Sequence, residues 1–194
     1  EGRAGSLFLD IDRIKRQIGV DAYLLGTPLG RLNLHEIETT LLETGYVARA
    51  NAATNFMGEL TVRLYLKQPV ARIQPAKGRG FYVDGQGQKM PLSRHFTART
   101  VLVSGPFRAV GGRSGPVQDS LLLRTLPMLK HLGEAPFWQA QLSEVVVNEY
   151  GEATLYPQLG ETRVRLGHVD DYAPKLRRLF AFYESVLNKK GWDH

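Results

Sequence analysis

Glu59-Leu-Thr-Val-Arg-Leu-Tyr-Leu-Lys67 is the stretch that decides how this chain is read. Leu60, Val62, Leu64 and Leu66 fall on one side of an extended chain, and Thr61, Arg63, Tyr65 and Lys67 on the other. A period of two means a strand with one buried and one wet face. The charged residues of the wet face suit an edge strand that must stay unpaired. Pro69 cannot donate to a ladder, so it is expected to end this strand or to sit on an edge, with a hinge over 69–80.

Working back from that strand, Tyr46–Ala52 also alternates. Val47 is expected on one face and Ala48, Ala50 and Ala52 on the other, with Asn55–Gly58 as the turn between the two strands. Before them, Asn33 can cap a helix and Glu36 completes a capping box. Leu34, Ile37, Leu41 and Leu42 are expected to form its buried face, and Thr44-Gly45 its end. Gly26-Thr-Pro-Leu-Gly30 reads as a turn, and Ile11, Ile14 and Ile18 give an earlier helix over 9–18 that stops at Gly19.

Working forward, Phe81-Tyr-Val-Asp84 is a strand, Gly85-Gln-Gly87 a hairpin turn, and Lys89–Leu92 the returning strand. Thr100–Val103 is a further strand, and Gly111-Gly-Arg-Ser-Gly115 a flexible loop. Val117–Leu132 has helical spacing through Leu122, Leu126 and Leu129, with Pro127 expected to kink or split it. Strands follow at Gln141–Val147, Ala153–Tyr156 and Thr162–Leu166, with turns at Asn148–Gly151 and Gln158–Gly160. Asp170 or Asp171 is expected to cap a last helix that carries Leu176, Leu179, Phe180, Tyr183 and Leu187 and runs to about Asn188. The fold class is therefore α+β.

The 194 residues carry a formal charge of +6 and no cysteine. Disulfides, thiolate metal sites and cysteine nucleophiles are excluded. The basic residues are dispersed in groups of two or three, such as Arg13-Lys15-Arg16, Arg177-Arg178 and Lys189-Lys190, which argues against nucleic acid as a partner. No apolar run is long enough to span a bilayer, and no secretory signal opens the chain. Glu1 and His194 do not resemble natural termini, so a piece of a longer protein is expected.

A search for reactive constellations finds little. The five histidines, His35, His95, His131, His168 and His194, never stand at metal-ligand spacing, and no metal or cofactor is expected. Ser93 and His95 lack a nucleophile elbow, and neither Gly85-Gln-Gly87 nor Gly111–Gly115 matches a phosphate-cradling motif. Asp170-Asp171 reads as a helix cap, and Trp138, after Pro136-Phe137, as a core plug between helix and sheet. No catalytic residues are assigned.

The order of elements carries more information than any single motif. Two helices, then Gly45-Tyr-Val-Ala-Arg-Ala50 and the strand Glu59–Leu66, resemble a POTRA module. Gln68-Pro-Val-Ala-Arg72, Phe81-Tyr-Val-Asp-Gly-Gln-Gly87 with Met90-Pro91, and Val164-Arg-Leu-Gly167 with Lys175-Leu176 resemble, in order, motifs of the FtsQ/DivIB cell-division family. The resemblance runs from about residue 10 to residue 190 and implies a POTRA-like domain over 1–72 and a mostly antiparallel β domain with flanking helices over 73–194. It further implies a single-pass inner-membrane protein, extracytoplasmic at the division septum, anchored by an N-terminal helix and acting as a scaffold. The implied partners are the coiled-coil pair FtsB and FtsL and components of septal wall synthesis. In that family the β domain binds its partner by strand addition, on a strand after the final helix. That strand is expected to be missing here, leaving Thr162, Arg163, Val164, Arg165 and Leu166 as an exposed edge with Trp192 nearby. The alternatives are a POTRA-type chaperone of outer-membrane biogenesis and a cell-envelope enzyme.

Overall fold

A computed structural model describes residues 26–93, 97–160 and 162–187, together with Lys15, Ile18 and Gly19. The helix expected over 9–18 lies mostly outside these residues, as do Lys189-Lys190 and Gly191. After a 3-10 turn at Leu29–Arg31, Asn33 caps helix α1 (Leu34–Glu43), its Oδ1 accepting from the Glu36 amide at 3.1 Å. Ile37 and Leu41 are buried, but Leu42, expected inside, is 42% exposed. At 100° per residue Leu42 is turned off the stripe that Ile37 and Leu41 share. Gly45 ends the helix at φ +83°, and a Cβ there would lie 2.8 Å from Pro91 Cδ. Both the left-handed backbone and the close approach therefore require glycine.

Strands β1 (Val47–Thr54) and β2 (Leu60–Leu66) pair antiparallel as a two-stranded sheet, with α1 and Ile18 packed on its apolar face. The alternation of β2 is as expected. In β1, a register shift between Val47 and Arg49 places an extra residue at Ala48, so Val47 and Ala50 are both buried in this cluster while Ala48 is exposed. A bulge of this kind reverses the inside–outside sense that simple alternation assigns.

The expected hinge is instead the spine of the molecule. Strand β3 (Pro69–Lys77) pairs antiparallel with β4 (Phe81–Asp84) and parallel with β6 (Val101–Arg108). Pro69 opens β3, where a missing amide costs least, and Pro75 lies at a register irregularity. The chain thus changes sheet at Lys67-Gln68, and β3 runs unbroken through 72–73. With β5 (Gln88–Pro91), β7 (Gly115–Pro116), β8 (Leu142–Val147), β9 (Glu152–Pro157) and β10 (Val164–His168), the sheet order is β10-β9-β8-β6-β3-β4-β5-β7. Only β3 with β6 and β6 with β8 pair in parallel. The β4–β5 turn is built as expected, with Asp84 Oδ1 accepting from the amides of Gln86 and Gln88 at 3.0 and 2.8 Å.

Helix α2 (Ser120–Glu134) covers one face of this sheet. Its cap, Asp119, accepts from the Leu122 amide through Oδ1 and from the Arg108 amide at the end of β6 through Oδ2. Pro127 does not split the helix. The carbonyl it leaves without a donor is that of Leu123, a residue 46% exposed, where water can serve it. A short helix, α3 (Pro136–Gln141), precedes β8, and Trp138 in it is buried, as a core plug should be.

After β10, a 3-10 turn (Val169–Asp171) leads into α4 (Tyr172–Phe182) and a π-helical turn (Tyr183–Leu187). The expected carboxylate cap is absent. Asp171 holds the N-cap position without a side-chain bond, and Asp170 instead pairs with Arg124 of α2. That hydrogen bond holds the Asp170 carboxyl below the usual carboxylate range.

One close contact tests this packing. A Cβ on Gly133 would lie 2.3 Å from the Val70 carbonyl oxygen, so helix and spine meet backbone to backbone. Helix propensity alone would favour Gly133→Ala by about 1 kcal/mol. The clash outweighs it, and the variant is expected to lose roughly 2–4 kcal/mol in denaturant unfolding. An unchanged or raised midpoint would show that α2 can lift off β3.

Lys67 is half-buried at the change of sheet. Burial lowers its pKa below the usual lysine range, and the Asp84 carboxylate partly opposes this. The unfolded chain then binds more protons than the folded one between the lowered and the ordinary value, so this group makes stability rise with pH through that alkaline window. The stability advantage of Lys67→Met over the parent should shrink between neutral pH and about 10. Urea midpoints of the two proteins, measured in parallel, test this; a constant gap would mean that Lys67 is not desolvated.

Candidate partner-binding edge

Strand β10 ends the eight-stranded sheet among the described residues, so one side of its backbone has no ladder. It begins two residues later than expected. Gly160, at φ +82°, completes the turn after β9, and Thr162 and Arg163 remain outside the strand, both exposed. Val164 is half-buried, Arg165 exposed, and Leu166, at 5% exposure, belongs to the main core. Trp192 lies outside the described residues. The structure therefore brings Val164, Arg165 and Leu166 onto one edge strand, with Thr162 and Arg163 leading into it.

The edge is not regular. Arg165 faces Thr154 and Gly167 faces Ala153, so Leu166 is an extra residue on β10. Gly167 has φ +77°, and a Cβ on it would sit 3.2 Å from Lys175 Nζ of α4. Gly167 thus lies under the Lys175 side chain, and Leu166 and Leu176 share one core. These are the two short motifs, Val164–Gly167 and Lys175-Leu176, that the sequence places with Lys175 eight residues after Gly167, and their juxtaposition is physical. Periodicity missed the bulge because the cause is a left-handed glycine and not a break in the apolar pattern.

Charge follows a simple pattern. Thr162–His168 contains two arginines and no acid, and Arg163 and Arg165 have no hydrogen-bond or ion-pair partner among the described residues. An aromatic group braces the helix behind the strand. The Phe137 ring lies 4.7 Å from Phe180, 4.8 Å from Trp138 and 5.8 Å from Tyr183. Burial raises the Tyr183 phenol above the usual tyrosine range. Phe182, at 55% exposure, extends this group to the surface. The sequence marked Trp138 but gave no sign that its neighbours come from α4.

Among the described residues, no cluster of three or more His, Cys, Asp or Glu side chains could hold a metal ion. No helix among them is long and apolar enough to cross a membrane. An isolated strand edge and a pair of free guanidinium groups can offer main-chain hydrogen bonds and cationic contacts.

Comparison with known proteins places this arrangement. Residues 68–194 match a family model described as "FtsQ/DivIB, C-terminal related", beginning where the chain changes sheet. A cell division protein FtsQ from Syntrophotalea carbinolica is 25% identical over 196 residues, covering 95% of this chain and 68% of the relative. With the match extending over the whole eight-stranded sheet and the helices on it, this chain belongs to the FtsQ/DivIB family of cell-division proteins.

Proposed function

We propose that this chain is a non-enzymatic scaffold of the division septum that binds other division proteins by strand addition. The observation that carries the reading is the side of β10 that is open among the described residues, on a buried and well-braced core. Backbone hydrogen bonds supply much of the contact in strand addition, and alternate side chains supply selectivity. Arg163 and Arg165 then meet acidic or polar side chains of the partner. The partner is the coiled-coil pair FtsB and FtsL, with septal wall synthesis components recruited through the same assembly. In the whole protein an N-terminal helix anchors the chain in the inner membrane, and this part lies on the extracytoplasmic side. A POTRA-like module ends, on this reading, at Lys67, where the chain leaves the small sheet, and not at residue 72.

The edge is suited to this use because it is protected from indiscriminate pairing. Its bulge and its two arginines discourage self-association of flat edges. Part of the ordering cost is already met in the free protein, since Leu166 in the middle of the short strand and Val169 just after it are fixed in the core.

Titration of this chain with the extracytoplasmic parts of FtsB and FtsL is expected to give saturable binding, with amide exchange slowed across 164–168. The double variant Arg163→Glu/Arg165→Glu should weaken binding roughly tenfold through lost charge complementarity, at unchanged folding stability. Binding that leaves β10 exchange and the double variant's affinity unaltered would place the site elsewhere on the chain. No binding at all would remove this pair as the partner.

A further inference from the structure

The Gly111–Gly115 loop has no part in partner binding at β10, and it is not loose. Gly115 pairs with Lys89 in the β5–β7 ladder, and Lys89 reaches under the rest of the loop. Its Nζ donates to the carbonyls of Val110 at 2.5 Å and Gly112 at 3.0 Å. The expected mobile loop is therefore tied to β5 at both ends.

Three chain segments meet there: the β3–β4 turn, the exit of β5 and the loop after β6. They enclose a cavity of about 560 Å³. That volume is in the range of small-ligand sites. Phe81, Pro91 and Leu92 give it an apolar wall, and Arg79, Lys89 and Arg113 give it three cations. Among the described residues no acid lines it. Lys89 is 4% exposed, and neither it nor Arg79 nor Arg113 has a carboxylate partner among the described residues. A buried ammonium needs compensation, and two carbonyl dipoles supply only partial compensation. Gly111, at φ +81°, leaves the ammonium uncrowded, since a Cβ there would come within 3.3 Å of Nζ.

We infer that this cavity binds an oxyanion, a carboxylate or phosphate carried on a small ligand with an apolar portion. The guanidinium groups of Arg79 and Arg113 take the anionic oxygens, the Lys89 ammonium supplies charge from beneath, and Phe81, Pro91 and Leu92 hold the apolar part. Loop ordering accounts for the Lys89 hydrogen bonds but not for a buried charge, and two exposed arginines, Arg79 and Arg113, line the same cavity. The site lies at the opposite end of the sheet order from β10, so it stands or falls separately from partner binding there.

The test is a titration of the chain, followed by amide chemical shifts, with inorganic pyrophosphate and, separately, with citrate, against sodium chloride at matched ionic strength. Saturable shifts centred on Arg79, Phe81, Lys89 and Arg113 with either probe are expected. Response to pyrophosphate alone assigns the site to phosphates, response to citrate alone to carboxylates, and response to both to the shared oxyanion chemistry. Arg79→Gln/Arg113→Gln should weaken binding roughly ten- to hundredfold with the thermal midpoint retained. Should that variant misfold, Arg79→Gln and Arg113→Gln singly are each expected to weaken binding about tenfold. Shifts no larger than sodium chloride produces, or affinity unchanged in the folded variants, would overturn the inference.

Discussion

The parallel pairing of β3 with β6, continued by β6 with β8, constrains the rest of this molecule. Parallel neighbours cannot be joined by a tight turn, so the chain must cross over the sheet between them. The passage from β6 to β8 carries α2 and α3, which places the apolar side of α2 on Val70 and its neighbours. With the middle of the sheet fixed, the remaining strands can only be added outward. The hairpin partners β4, β5 and β7 extend one side, and the meander β8, β9, β10 extends the other. The position of β10 as an edge is thus a consequence of the central topology, as is the distance in the sheet between it and the β5–β7 cavity.

Burial follows the same division. Ile73, Val103, Val145 and Leu155 are fully buried along the middle strands. In β4 all four residues are buried, because Phe81 and Val83 face the main core while Tyr82 packs with Met90 and Tyr46 on the other side. The N-terminal elements therefore cover a part of the sheet that the helices leave open, and Gly45 lies against Pro91 with no room for a Cβ. At β10 Arg165 is exposed and Leu166 is anchored in the core. Such a strand can accept a partner backbone without itself coming loose.

What the sequence made legible was local. The β2 alternation, the Asn33 cap and the Asp84 turn are set by neighbours a few residues away, and they stand as read; of the last helix's stripe, Leu176 is buried, Leu179 and Tyr183 are partly buried, and Phe180 is exposed. The failures share one cause, which is tertiary pairing. Pro69 and Pro75 argue against a central strand on propensity, yet β3 accommodates one at its first position and the other at a register irregularity. Asp170 carries the signature of a helix cap, but Arg124, forty-six residues earlier, lies within hydrogen-bonding reach. For the edge, order of motifs pointed to a strand that does end the sheet among the described residues, while its starting residue and its bulge depended on Gly160 and Gly167, whose left-handed backbones leave no mark on the apolar pattern.

Lys89 shows why an apparently structural residue can carry a second meaning. If order in the 109–114 loop were its whole role, a neutral donor would serve, without burying a charge beside Phe81 and Pro91. An ammonium is the costlier choice, and its cost falls when an anion arrives. Arg79 and Arg113, both exposed, line the same cavity and can meet an anion that the ammonium attracts. All three cations surround one cavity that has an apolar wall and, among the described residues, no acid. The cost of the buried Lys89 charge and its relief by an oxyanion are therefore two aspects of one arrangement, built where the β3–β4 turn and the loop after β6 converge.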